Sequence, residues 1–226
     1  DCDYALYLYS VFCREREDFG QGKSLIERAL KINNTNPYYW SEYITIVESS
    51  GDFQRAEKIA EKALKINSHD RFLVIKLIFL KSKLQKNDDV LKLANEYIIS
   101  DPTDNKEIYL NTRLTVSLLE GHWRKASNIS KEKRYKDALN MLLDGLQKYQ
   151  RLRRQKIIFS SNSKILWEIK KTYRKLGDLS LVLKKNNDAI EYYRKSIYRD
   201  PYYEDRKKHN RIILNKLNKL TINKKK

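Results

Sequence analysis

Hydrophobic side chains recur along the chain at helical spacing. Trp40, Tyr43 and Val47 are three and four residues apart, which places them on one face of a helix. Alanines follow at similar spacing from Ala56 to Ala63. Because the distance between packed helices depends on the side chains at their contact, small residues let two helices approach closely. The pattern therefore predicts a pair of packed helices.

Glycine and proline mark the ends of the predicted helices. Gly51 lies between the two stripes, and glycine readily adopts the left-handed backbone of a tight turn. Pro102 and Pro201 close later segments, because proline cannot continue a helix. The whole chain has only 6 glycines and 3 prolines, which favours a helical protein over a turn-rich β fold.

The helix-pair pattern repeats after 34 residues. The sequence ALKIN occurs at 29–33 and again at 63–67, and Asp18 is matched by Asp52. A single helix pair cannot bury its apolar side by itself, so repeated pairs are expected to stack on one another.

This repeat resembles the tetratricopeptide family, whose unit is a helix pair of about 34 residues. In one segment the signature positions hold Trp40, Tyr43, Val47, Gly51, Phe53, Ala56, Ala60 and Ala63. Near the end of the chain they hold Tyr173, Leu176, Gly177, Ala189, Tyr193, Ser196 and Pro201. The resemblance implies an all-α fold, a right-handed superhelical α-solenoid of antiparallel helix pairs, with about five units and a C-terminal capping helix.

We expect one repeat domain over residues 1–220, followed by a basic tail at 221–226. The predicted units lie near 3–36, 37–70, 71–104, 105–152 and 163–203, with the capping helix at 203–220. The fourth unit is longer than the repeat, so either Gly121 and Ser127–Ser130 break it or one helix runs long. Ser160–Ser163 predict a loop before the fifth unit, with Ser163 as the N-cap of the next helix.

The sequence contains no motif for catalysis or for metal binding. His69, His122 and His209 are far apart, and none has a second His or Cys at zinc-ligand spacing. Cys2 and Cys13 are too distant on one predicted helix to form a disulfide, and the repeat register places Cys13 in the core. We therefore predict a non-catalytic protein with no cofactor and no metal.

Positive charge is concentrated in the second half of the chain. The formal net charge is +18, of which residues 1–104 contribute −2 and residues 105–226 contribute +20. This imbalance favours an anionic partner for the second half. The alternative is that the lysines reflect base composition and solubility, and the sequence leaves both interpretations open.

The family resemblance implies a concave groove, lined by the first helices, that binds a peptide or helix of another protein. Carried over by position, the groove residues are Tyr4, Tyr7, Val11, Tyr38, Thr45, Phe72, Lys76, Phe79, Lys171, Arg174 and Lys175, with Glu42 beside them. The groove would be aromatic toward the N-terminus and basic toward the C-terminus, which suits a partner with acidic and apolar residues. The alternative is that these side chains cover neighbouring repeats.

One branch of the family holds a terminal carboxylate of a chaperone with a clamp of Lys and Asn. Of the matching positions here, only Lys76 fits, and Glu42 would repel a carboxylate. We therefore do not expect chaperone-tail binding.

A dense basic patch suggests an alternative function. Arg151, Arg153, Arg154 and Lys156 form this patch, and related half-repeat helical proteins act in RNA processing. Phosphate contacts would make affinity fall steeply with salt. The 34-residue period favours protein binding, so RNA contact is the second hypothesis. No signal or membrane-spanning segment is predicted, and because the chain begins at Asp1 its compartment stays open.

Overall fold

The computed structural model describes residues 2–159, 162–197 and 204–222, and every regular element in these ranges is an α-helix. In chain order the helices are α1 (Asp3–Glu15), α2 (Phe19–Ile32), α3 (Pro37–Ser49), α4 (Phe53–Ile66), α5 (Arg71–Lys83), α6 (Asn87–Tyr97), α7 (Asn105–Lys131), α8 (Tyr135–Arg154), α9 (Ser163–Val182), α10 (Asn186–Ser196) and α11 (Glu204–Ile222). The predictions for Ser160, Ser161 and Pro201, and for the tail after Ile222, lie outside the described residues.

The chain divides into two compact units, Asp1–Tyr97 and Ile98–Lys226. In the first unit each helix packs on the next, from α1 to α6, and the first helix α3 also contacts the first helices α1 and α5. In the second unit α7 packs on α8, α9 on α10 and α10 on α11, while α9 also contacts α7 and α8. The single domain spanning residues 1–220 and the right-handed superhelix stay predictions.

The first unit has one hydrophobic core, built from the predicted stripes. Trp40 and Val47 are buried in it together with Ala56, Ala60 and Ala63. Gly22 on α2 is the residue where three helices meet. A Cβ atom added to Gly22 would lie 3.2 Å from the carbonyl oxygen of Ser10 on α1 and 3.5 Å from Cδ1 of Ile46 on α3. The helices therefore approach closely because small residues line their contacts.

The turns inside the helix pairs share one backbone conformation. Gly51 has φ +88°, and Glu17 and Gln85, each 34 residues away, have φ +63° and +60°. Lys133 and Lys184 take the same left-handed conformation in the second unit. Only one of these five turns has the glycine that the conformation favours, so stacking of the flanking helices holds the other four in place.

The second unit accommodates its extra residues by lengthening its helices. α7 is a single helix of 27 residues, so the prediction of one long helix is right and the predicted break is wrong. Gly121 is buried within α7, where packing fixes the backbone. The predicted N-cap is wrong by one residue. Asn162, not Ser163, caps α9, because its side-chain oxygen accepts hydrogen bonds from the amides of the first turn.

Polar contacts from α7 fix the segment that follows α8. The buried side chain of Asn111 accepts a hydrogen bond from the amide of Ile99 at 3.0 Å and donates to the carbonyls of Ile99 and Ile157. The hydroxyl of Thr112 accepts a hydrogen bond from the amide of Phe159 at 2.9 Å. These bonds satisfy backbone groups of the segments before α7 and after α8. Without the bonds, those groups would be removed from water and have no hydrogen-bond partner.

An ion cluster around the buried side chains of Lys81 and Glu57 joins α4, α5 and the start of α6. Lys81 Nζ lies 2.8 Å from Glu57, 3.0 Å from Glu61 and 3.2 Å from Asp89. Lys86 also contacts Glu57, at 2.7 Å. Burial alone would lower the pKa of Lys81, but the hydrogen bonds to these carboxylates raise it above its ordinary value. The lysine therefore stays charged within the stack.

The left-handed turn at Gly51 gives a direct test of the repeat geometry. We expect Gly51→Ala to lower the free energy of unfolding by about 1–2 kcal/mol, because an L-residue is strained at positive φ. No steric clash contributes, since a Cβ atom there meets no other atom within 4 Å. The measurement is urea unfolding followed by circular dichroism.

The matched control is Gly20→Ala, inside α2, where an added Cβ makes only an ordinary contact at 3.8 Å. Alanine favours helix over glycine by about 1 kcal/mol, so this variant should be as stable as the parent or more stable. Equal destabilisation by both changes would contradict the left-handed turn.

Candidate partner-binding grooves

In the first unit, polar contacts join the first helices of neighbouring pairs. Arg14 Nε on α1 donates to Glu42 Oε1 on α3 at 2.7 Å. Lys76 Nζ on α5 donates to Thr45 Oγ1 on α3, also at 2.7 Å. The two contacts place α1, α3 and α5 side by side, so their side chains form a continuous surface.

This surface contains the predicted groove residues of the first unit, and we call it the first-unit face. It consists of Tyr4, Tyr7, Val11, Tyr38, Thr45, Phe72, Lys76 and Phe79. The side chain of Tyr38 is 68% exposed, and Tyr4, Phe72 and Phe79 are also exposed. The ring of Tyr7 packs between those of Tyr4 and Tyr39, with centroids 6.1 and 5.2 Å away. The face is therefore partly aromatic and open to solvent.

The acidic residue on this face is already neutralised. Glu42 is buried and paired with Arg14, which lies 28 residues earlier in the chain, on α1. Burial lowers the pKa of Lys76, although Glu48 and Glu42 oppose the shift. The repulsion of a carboxylate that the sequence predicts from Glu42 is thus weakened by an ion pair that only the fold reveals.

The second unit contains a cavity of about 420 Å³ between α7, α9 and α11, which we call the second-unit groove. Its lining consists of Trp123, Trp167, Lys171, Arg174, Lys175, Asp178, Lys208, His209 and Ile212. The structure therefore brings the three predicted basic residues together in one groove. Sequence reasoning missed the two tryptophans and the residues of α11. Trp167 lies one turn before Lys171 on the same helix, a spacing that could have identified it.

Lys171 has two partners at the wall of this groove. Its Nζ lies 4.5 Å from the ring centroid of Trp123, within cation–π distance. It also lies 2.6 Å from Oε2 of Glu168, a carboxylate that is only 3% exposed. Burial raises the pKa of Glu168, although Lys171 opposes the shift. Lys171 is therefore held in position by neighbours on both sides.

The remaining charge in the groove is positive. Asp178 accepts a hydrogen bond from the hydroxyl of Tyr193 at 2.6 Å and is paired with Lys216. Burial lowers the pKa of His209, which keeps its imidazole neutral at pH 7. Arg174, Lys175 and Lys208 therefore give the groove an excess of positive charge beside two indole rings.

The predicted basic patch lies at the C-terminal end of α8. Arg151, Arg153, Arg154 and Lys156 are all exposed. Arg151 and Arg154 line a shallow cavity of about 420 Å³ together with Asp144, Gln147 and Lys148. Arginines in the last turn of a helix also interact favourably with the helix dipole, so the patch has a structural role of its own.

Among the residues that the structure describes, no helix has both the length and the apolar character needed to cross a membrane. No cluster of three or more His, Cys, Asp or Glu in these ranges is arranged to hold a metal ion.

Comparison with known proteins relates the chain to one family. Residues 171–203, which include the predicted groove residues of α9, match the tetratricopeptide repeat family model. The fold matches solved tetratricopeptide structures. The chain therefore contains one segment, residues 171–203, that matches a tetratricopeptide repeat, and it shares the helical fold of solved tetratricopeptide proteins. No curated protein sequence matches it significantly.

The structural neighbours of this chain have distant sequences. A double mutant of MamA RS-1 is 14% identical with a TM-score of 0.53, and the alignment covers 87% of this chain and 93% of that one. MamA from Desulfovibrio magneticus RS-1, residues 41 to the end, is 14% identical with a TM-score of 0.51. The alignment covers 87% of this chain and 93% of that one. YrrB, described as a tetratricopeptide protein with an unusual peptide-binding site, is 11% identical with a TM-score of 0.51. The alignment covers 85% of this chain and 83% of that one. At these identities the likeness shows the fold.

Glu168 provides a pH-dependent test of the wall of the second-unit groove. Its pKa is higher in the folded chain than in the unfolded chain, so its charged form destabilises the fold and its protonated form does not. We expect Glu168→Gln to raise the melting temperature at pH 7. The gain should shrink as the pH falls and vanish below about 4, near the pKa of a glutamate in an unfolded chain.

Thermal unfolding of both proteins from pH 4 to pH 8 measures this difference. Glu191→Gln, at an exposed site on α10, is the control and should show no such pH-dependent gain. A melting temperature that falls at pH 7 in Glu168→Gln would contradict the account.

Proposed function

We propose that this chain is a non-catalytic scaffold that binds a peptide or helix of another protein along its first helices. The observation that carries the proposal is the second-unit groove, where Arg174, Lys175 and Lys208 surround two tryptophans. Binding sites between proteins typically place aromatic anchors in a pocket with charged groups at the rim. YrrB shares the fold and is described as binding a peptide, which supports the same function here.

The groove favours a segment that carries both acidic and apolar residues. Acidic side chains of the partner would pair with Arg174, Lys175 and Lys208, while an aromatic or long aliphatic side chain would pack on Trp123 and Trp167. The volume of about 420 Å³ lies in the range of sites that enclose a few side chains. We therefore propose a short linear segment as the partner.

The first-unit face would supply apolar contacts of the same kind. Tyr38, Phe72 and Phe79 present exposed rings on successive first helices, and long exposed aromatic side chains are enriched at protein interfaces. Lys76 is the basic residue of the first-unit face, and in this proposal it takes part in binding the partner. In this proposal the first-unit face is mainly aromatic and the second-unit groove is basic.

RNA contact through the basic patch is the second candidate function. The exposed cavity between Arg151 and Arg154 favours it, since two guanidinium groups there could meet a phosphate. The favourable position of these arginines at a helix C-terminus accounts for them equally well. Protein binding is therefore the function that the geometry supports better.

The test uses a fluorescent acidic peptide of twelve residues with one central phenylalanine, and measures its affinity by anisotropy. We expect Arg174→Glu with Lys175→Glu to weaken binding by about tenfold or more, because both cations would become anions at the groove. Truncating Tyr38, Phe72 and Phe79 to alanine should weaken it by a smaller factor.

The control replaces Arg151, Arg153 and Arg154 by glutamate, which lowers the net charge by more than the groove variant does, but outside the groove. This variant should retain peptide affinity after correction for its changed net charge. If it loses peptide affinity as much as the groove variant, or if the groove variant binds normally, the proposal is wrong. If a single-stranded RNA probe binds the parent chain but does not bind this variant, the result would support the second function instead.

A further inference from the structure

The second-unit groove contains three cations that have no acidic partner. Arg174, Lys175 and Lys208 make no ion pair and no side-chain hydrogen bond with any residue in the part of the chain that the structure describes. Asp178, the acidic residue of the lining, is already paired with Lys216. Three positive charges of this cavity are therefore left to be neutralised by a ligand.

The spacing of the cations on α9 does not serve the helix itself. On α8 a lysine has a carboxylate four residues earlier, since Lys148 Nζ lies 3.0 Å from Asp144 Oδ2. On α9 Lys175 has Lys171 at the same spacing, and Arg174 is its direct neighbour. Because like charges at this spacing do not stabilise a helix, a bound anion explains the cations better than helix stability does.

Two indole rings lie in the same cavity as these cations. Trp123 and Trp167 both line it, and the volume of about 420 Å³ is enough to enclose a large side chain. Lys171 Nζ lies 4.5 Å from the ring centroid of Trp123, so a cation and an aromatic surface lie within reach of a single ligand side chain. Aromatic rings pack favourably on one another in offset or edge-to-face arrangements. The cavity therefore suits a side chain that has both an aromatic ring and more than one negative charge.

Phosphotyrosine is a side chain that has both parts. Its phosphate carries a charge of about −1.5 to −2 at pH 7 and has three oxygens that accept hydrogen bonds. A guanidinium group can bind two of these oxygens at once, while ammonium groups bind as point charges. A glutamate or aspartate of the partner brings one charge and no ring, so it would leave two of the three cations without a partner.

We propose that the second-unit groove binds a phosphorylated tyrosine of the partner segment. Its ring packs on Trp123 and Trp167, and its phosphate meets the three unpaired cations of the groove. This inference rests on the proposed function and makes it more specific, because phosphorylation of the partner would then control whether the partner binds.

The test uses four fluorescent versions of the acidic peptide that tests the proposed function. Their central residue is phosphotyrosine, tyrosine, phosphoserine or phenylalanine, and their affinities are measured by anisotropy at about 0.15 M ionic strength. We expect the phosphotyrosine peptide to bind about tenfold or more tightly than the tyrosine peptide, because the phosphate meets cations that are otherwise unpaired. The phosphoserine peptide keeps the phosphate without the ring, so it should bind a few-fold more weakly than the phosphotyrosine peptide.

Arg174→Gln tests the site on the protein. We expect this variant to lower the ratio of phosphotyrosine affinity to tyrosine affinity by about tenfold, because it removes the bidentate contact. The matched control is Arg154→Gln, which removes the same charge outside the groove and should leave the ratio unchanged. Since each ratio compares two peptides on one protein, a general loss of stability cancels.

Four results would overturn the inference. The first is equal affinity for the phosphotyrosine, tyrosine and phenylalanine peptides, and the proposed function would survive it if the phenylalanine peptide still depends on Arg174 and Lys175. The second is equal affinity for the phosphotyrosine and phosphoserine peptides. The third is an equal fall of the ratio in Arg154→Gln and Arg174→Gln, which would show attraction by general charge. The fourth is displacement of the phosphotyrosine peptide by adenosine 5′-monophosphate as readily as by free phosphotyrosine, which would show a nucleotide site. If none of the peptides binds the parent chain, the proposed function is wrong as well.

Discussion

Close contact between successive helices, made possible by small side chains, is the constraint on which the rest of the first unit depends. Gly22 leaves room for α1 and α3 to approach α2 at the same point, and Ala56, Ala60 and Ala63 are completely buried on the next second helix. Because no pair can bury its apolar side alone, each pair depends on its neighbour for stability. The same stacking places α1, α3 and α5 side by side and thereby creates a surface on which a partner can bind.

Charged residues in this protein act in two different ways. Within the stack, buried Lys81 is compensated by Glu57, Glu61 and Asp89, so these charges join helices to one another. In the second-unit groove, compensation is incomplete. Asp178 is occupied by Tyr193 and Lys216, whereas Arg174, Lys175 and Lys208 line the same cavity together with Lys171. This difference, and not the total charge of the chain, makes the groove a candidate site for an acidic segment.

The sequence predicted the helical fold well, because its signals are local. The stripe of Trp40 and Val47, the alanines of α4 and the turn at Gly51 all depend on residues within one repeat. What the sequence could not predict depends on contacts across repeats. Arg14 neutralises Glu42 from another helix pair, and Trp123 meets Lys171 through a long helix that departs from the repeat. In the turns, Gln85 and its counterparts adopt positive φ without glycine, so their residue types carry no signal.

The fold of the first unit depends most directly on the contact between α2 and α3, since this contact stacks the second helix pair on the first. A nuclear Overhauser effect between the δ1 methyl group of Ile46 and the α protons of Gly22 measures it in solution. The structure predicts a strong cross-peak, because a Cβ atom in place of one of these protons would lie 3.5 Å from the methyl carbon. An absent cross-peak, with Ile46 contacting residues of a distant helix instead, would contradict the stacked arrangement.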